Sequence, residues 1–141
     1  MSTGLTTFSA ILTFAIDLED KSAQFYEAAA KVGGDLADTF ENYNRRSIKR
    51  KQRMTAVRQD NVTEIVLEPI SGLNSDNYEI TISTPADRAQ ALAQALELEG
   101  RLKRFYVEAE LKLNVTEPRR AFQKMAQEND ERLAELKAVQ G

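Results

Sequence analysis

A sixteen-residue stretch occurs twice in this chain, and it constrains the fold more than any other feature. Residues 15–30 read AIDLEDKSAQFYEAAA and residues 95–110 read ALELEGRLKRFYVEAE, eighty positions apart. The pairs Ala15/Ala95, Leu18/Leu98, Glu19/Glu99, Phe25/Phe105, Tyr26/Tyr106 and Ala29/Ala109 coincide. A helix returns to one face every three or four residues. That face runs Phe8, Leu12, Ala15, Glu19, Ser22, Tyr26, Ala29 in the first copy. In the second it runs Leu92, Ala95, Glu99, Leu102, Tyr106, Ala109, Leu113. Each stripe is apolar or small on both sides of one glutamate. A carboxylate facing a core costs several kcal/mol unless it is paired, protonated or bound to a cation. Two of them at equivalent repeat positions point to a common site.

The rest of the chain reads as helix around these two copies. Residues 4–33 keep helical period until Gly33 and Gly34 stop it. Asp35 is the expected cap of a second helix over 35–60, with the stripe Leu36, Phe40, Tyr43, Ser47, Arg50 or Lys51, Met54, Val57. Thr84 and Pro85 are expected to open a third helix over 84–114, in which Gly100 would allow close packing. Thr116 is the expected cap of a fourth, 117–139, with Phe122, Met125 or Ala126, Asn129, Leu133 and Leu136 inward. Between the second and third lies a connection, 61–83, holding Pro69, Gly72 and the turn-forming run 74–77. Its segments Val62–Leu67 and Tyr78–Ile82 are rich in β-branched residues and are candidates for a short hairpin. Spread out, 23 residues reach roughly 70 Å at about 3.3 Å each, more than a helix of about 40 Å. The connection can therefore return to the starting end and make helices two and three parallel. The expected fold is all-α: one domain, 1–141, built as a four-helix bundle of two helical hairpins joined by a long crossover.

Composition narrows the chemistry. The 141 residues include no cysteine and no histidine. That removes thiolate and imidazole ligands, iron–sulfur clusters, cysteine nucleophiles and the usual general base near neutral pH. Net charge is −3, which gives no general attraction to nucleic acid. One local exception is residues 45–53, with six basic side chains in nine. It lacks interleaved aromatics and a glycine-rich loop, and reads as a solvated helix face with one or two inward arginines. Anion or nucleic-acid binding through it is the alternative. No apolar stretch is long enough to span a membrane and no signal peptide is evident, so a cytoplasmic location is expected.

The two glutamate stretches, together with Phe40 and Phe122, resemble the rubrerythrin and ferritin-like superfamily. The resemblance implies a ferritin-like bundle in which Glu19 and Glu99 would be ligands of a di-iron centre. It also implies Glu-x-x-His motifs beginning seven residues after each phenylalanine. Those motifs are absent: the positions hold Ser47 and Arg50 in one case, Asn129 and Arg132 in the other. Of the six ligand positions only Glu19 and Glu99 carry over. A guanidinium binds carboxylate through parallel hydrogen bonds, so Arg50 is expected to pair with Glu19, and Arg132 with Glu99. The expected protein has lost its di-iron centre, needs no cofactor and is not evidently an enzyme. It would act as a structural, interaction or ligand-binding protein, with a homodimer as its assembly. The competing expectation is a metal-binding oxidoreductase of the rubrerythrin type. It would use a relocated carboxylate site, with Asp17, Glu97 and Glu128 as nearest candidates. Tyr26 and Tyr106 are expected in the core with their hydroxyls tethered.

Overall fold

The computed structural model describes residues 5, 7–60, 72–81 and 83–140. It is all-α, with helices α1 (Phe8–Val32), α2 (Ala37–Asp60), α3 (Arg88–Glu110) and α4 (Thr116–Gln140), and no strand among the described residues. No described helix is long and apolar enough to cross a membrane.

The helix ends follow local chemistry, though not always at the expected residue. Thr7 caps α1, its hydroxyl accepting from the Ala10 N–H at 3.0 Å. The turn into α2 needs glycine, because Gly34 sits at φ +58°, where a side chain is strained. Asp35 lies in a 3-10 turn, Gly34–Leu36, ahead of α2. It is not the α2 cap; its carboxylate takes the Arg88 Nε at 2.6 Å. Helix α3 starts later than Thr84 and Pro85 suggested. Asp87 caps it, accepting from the Gln90 N–H at 2.9 Å. An aspartate at this position both bonds an orphan N–H and faces the positive end of the helix dipole. Thr116 is the first residue of α4 itself.

Two further expectations fail. The segment Tyr78–Thr81 is not a strand: it follows a 3-10 turn, Ser75–Asn77, capped by the Asn74 side chain. Tyr78 instead packs edge-on against Phe105 and donates to Glu108 at 2.5 Å. The other half of the expected hairpin, Val62–Leu67, lies outside the described residues. Gly100 does not serve close packing either, since a Cβ there would meet nothing within 4 Å. Gly100→Ala should therefore stabilise the protein by about 0.5–1 kcal/mol, because alanine loses less backbone entropy in a helix interior. A urea midpoint at or below that of the parent would contradict this.

Cross-helix pairs give the directions. Thr13 with Arg58, Asp20 with Lys51, and Ser22 with Ser47 make α1 and α2 antiparallel. Lys103 with Asp130 and Glu110 with Gln123 do the same for α3 and α4. Glu19 with Tyr106 and Tyr26 with Glu99 set α3 antiparallel to α1. It follows that α2 and α3 run the same way, which puts Asp35 and Arg88, at their two starts, side by side.

The four inner stripes form one core. The expected faces of α1 and α3 are buried along their whole length. On α2 the choice between Arg50 and Lys51 falls to Arg50. On α4 Arg132 is buried, while Leu133 is only partly so. Phe14, Phe105, Phe122 and Tyr106 form one run of ring contacts, with centroids 5.0–5.9 Å apart. Tyr26 packs between Phe40 and Tyr43 at 5.8 and 5.2 Å. These rings enclose the middle of the bundle, where the two glutamates lie.

Candidate polar centre of the bundle

Glu19 and Glu99 are both 0% exposed. Each is closed by the tyrosine of the other repeat. Tyr106 donates to Glu19 Oε2, and Tyr26 donates to Glu99 Oε2 at 2.5 Å. The exchange follows from the sequence pattern. Each tyrosine stands seven residues after its own glutamate, two turns along the same face. In an antiparallel helix pair, each glutamate then lies level with the partner's tyrosine.

The cations come from α2 and α4. Arg50 Nη2 lies 3.4 Å from Glu19 Oε2, and Arg132 Nη1 lies 3.3 Å from Glu99 Oε2. Both guanidiniums also lie against rings, Arg50 at 5.3 Å from the Tyr106 centroid and Arg132 at 4.9 Å from that of Tyr43. Such contacts favour a desolvated cation. Two glutamates and two arginines leave the centre without net charge, as a buried cluster requires.

Asn129 joins the halves. Its Nδ2 donates to Glu99 Oε1 at 2.6 Å and its Oδ1 accepts from Arg50 Nη2 at 2.9 Å. An asparagine can do both because its amide carries a donor and an acceptor. Arg50 further donates through Nε to Met125 Sδ at 2.8 Å. Ser47 is held by Ser22, Oγ to Oγ at 3.0 Å. The two halves are therefore unequal. Glu99 has partners on both oxygens, whereas Glu19 Oε1, Arg50 Nη1 and Arg132 Nε have none among the described residues.

Burial raises the Glu19 pKa above its ordinary value, with Arg50 and the Tyr106 hydrogen bond opposing it. Burial works against the Arg50 cation, but Glu19, then Tyr106 and Glu99, outweigh it and its pKa is raised. Burial, then the facing carboxylates, raise both Tyr26 and Tyr106 well above the usual phenol range. At neutral pH the tyrosines are hydrogen-bond donors, not bases.

All six residues singled out in the sequence are buried, and Glu19, Arg50, Glu99, Asn129 and Arg132 join in this one cluster, whereas Ser47 bonds to Ser22 on α1. Their donor set does not suit a di-iron or di-manganese centre. A guanidinium has no lone pair to offer, and two carboxylates without imidazole cannot supply two metal ions. Asp17 pairs with Lys21 at 3.3 Å and Glu97 with Arg101 at 3.1 Å. Among the described residues no three Asp or Glu side chains gather as a metal site. The basic run divides by helical period: Arg50 turns inward, Lys51 pairs with Asp20 at 2.9 Å, and Arg45, Arg46, Lys49 and Arg53 are exposed. Sequence reasoning missed the crossed tyrosine–glutamate bonds and the bridging amide of Asn129. The seven-residue Glu-to-Tyr spacing, present in both repeats, was the available signal for the first.

No family model, curated protein or solved structure matches the chain.

Proposed function

We propose that this chain is a ferritin-like four-helix bundle of the rubrerythrin type, in which arginine–glutamate pairs occupy the place of a di-iron centre. On this reading it acts as a structural or binding protein and not as a metal-dependent oxidase. One observation carries the proposal: each repeat's glutamate is closed by a guanidinium from the adjoining helix and by the tyrosine of the other repeat. The carboxylates that would receive metal already have their countercharge. Support for the bundle type comes from the antiparallel pairs and from the crossover connection 61–83, which links two helices running the same way.

Metal analysis tests it. Protein purified without chelator, then incubated with excess Fe(II) under air and desalted, should retain far less than one iron per chain. Its near-ultraviolet spectrum should stay that of the untreated protein. Two tightly held irons per chain, with an oxygen-dependent absorbance, would overturn the reading and make the protein an oxidase candidate.

A further inference from the structure

On the outer face shared by α3 and α4 lies a groove of about 400 Å³. Val107 and Leu111 stand one turn apart along its α3 wall and are 46% and 72% exposed. Opposite them, the middle of the α4 wall is Gln123, Ala126 and Gln127, all uncharged. The other large apolar side chains exposed among the described residues, Ile48 and Val139, stand apart, on α2 and at the end of α4. Single exposed apolar side chains are ordinary, whereas neighbouring ones beside a groove mark an interaction surface.

The charges around the groove say which surface fits it. Lys103 with Asp130, and Glu110 with Gln123, set the register of α3 against α4. Val107 and Gln127 therefore stand level, midway between those two pairs. Along α3, Lys103 and Arg104 come before Val107, and Glu108 and Glu110 come after it. Along α4, Arg120 and Lys124 come before Gln127, and Asp130 and Glu131 come after it. Both helices thus change sign at one level, and because they run antiparallel, positive lies beside negative at each end. Such a face is complementary to itself. A second copy turned end over end about the level of Val107 and Gln127 lays the basic half of each helix on the acidic half of the same helix in the first. We infer that this chain pairs with a second copy of itself through the α3–α4 face. In the pair α3 lies against α3 and α4 against α4, antiparallel, in an isologous two-fold contact. Val107 and Leu111 of both copies close the two facing grooves. Two helices roughly 35 Å long and about 10 Å wide present roughly 700 Å², near the roughly 800 Å² that each partner gives to a specific complex. The charges align the two copies and the apolar centre holds them. This inference stands apart from the central cluster and holds whether or not that cluster binds metal.

Sedimentation equilibrium of the parent protein over about 1–500 µM tests it. The mass should rise from that of one chain to that of two. Leu111→Arg sets a cation against Lys103 of the other copy, and should weaken pairing by at least about tenfold. Ile48→Arg, an equally exposed change on α2, should leave it unaltered. Lys124→Glu should weaken pairing, because it meets Asp130 and Glu131 of the other copy, and adding Glu131→Lys should restore it. Residues 124 and 131 lie about 10 Å apart along one helix, too far to pair within a chain, so recovery reports a contact between copies. The concentration series of the parent needs no variant, and Leu111 is too exposed for its replacement to prevent folding. The mass of one chain at every concentration would overturn the inference. So would pairing that Ile48→Arg breaks and Leu111→Arg does not, or a charge reversal that the second reversal fails to rescue.

Discussion

Arg50→Met should destabilise the protein by roughly 3–5 kcal/mol, because it leaves the Glu19 carboxylate buried without its cation. The side chains of Glu19 and Arg50 are 0% and 5% exposed, so solvent cannot step in as a partner. Glu19→Gln should cost a comparable amount by stranding the guanidinium. The double variant, Glu19→Gln with Arg50→Met, should be much milder than the sum, since it removes both charges together. Urea unfolding of the four proteins gives the coupling directly. Additive effects would mean that the pair is not the unit that holds the bundle centre.

The same variant has a pH signature. The folded-state pKa of Glu19 is already raised above its unfolded value, with Arg50 among the causes that lower it. Without Arg50 it rises further. A group whose folded pKa is raised contributes stability that is present below its unfolded pKa, near 4.5, and lost as pH rises through the folded pKa. The deficit of Arg50→Met relative to the parent should therefore be largest at neutral pH and shrink as pH falls towards about 4.5. A deficit constant over that interval would exclude a stranded carboxylate as its cause.

Asn129→Asp is the second change with a large expected effect. It is isosteric, so it creates no cavity. It keeps an acceptor for Arg50 but replaces the Nδ2 donor, 2.6 Å from Glu99 Oε1, with a carboxylate oxygen. Two like charges would then face each other, and a centre with two glutamates and two arginines would carry one uncompensated negative charge. The expected loss is roughly 3–5 kcal/mol at pH 7. One member of the new carboxylate pair should titrate well above the ordinary range. By the same linkage, the loss should fade as pH drops through that raised pKa and be recovered below about pH 4. Asn129→Leu removes both hydrogen bonds without adding charge, so its cost should vary much less with pH. If the two variants share one pH profile, Asn129 is a packing residue and not the bridge between the two halves.

The expected results rest on features that were unequally legible in the sequence. The helical character and the inward faces of α1 and α3 are local properties. They follow from a 3.6-residue period, and the repeat marks Glu19 and Glu99 as the anomaly on each face. On α2 and α4 the spacing from Phe40 and Phe122 picks out Ser47, Arg50, Asn129 and Arg132, whereas helical period alone leaves Arg50 or Lys51 open and puts Leu133 inward. Absence of histidine and cysteine follows from composition alone.

The remainder depended on how the helices lie against one another. Arg50 and Lys51 are adjacent in a basic run, and packing parts them: Lys51 reaches Asp20 at the edge of α1, while Arg50 enters the core between Glu19 on α1 and Asn129 on α4. Helix starts shifted for the same reason. Asp35 had the chemistry of a cap, but Arg88, brought beside it by the return of the chain, took its carboxylate. The residues 78–81 have β-branched character, yet Tyr78 is buried edge-on against Phe105 and bonded to Glu108, and an isolated two-stranded pair is marginal in water. The Asn129 bridge is absent from any local pattern, and the crossed tyrosine–glutamate bonds show in the sequence only as the repeated Glu-to-Tyr spacing, because their partners come from different helices. Local sequence determines which residues face inward; the rotation and offset of neighbouring helices determine which of those residues meet.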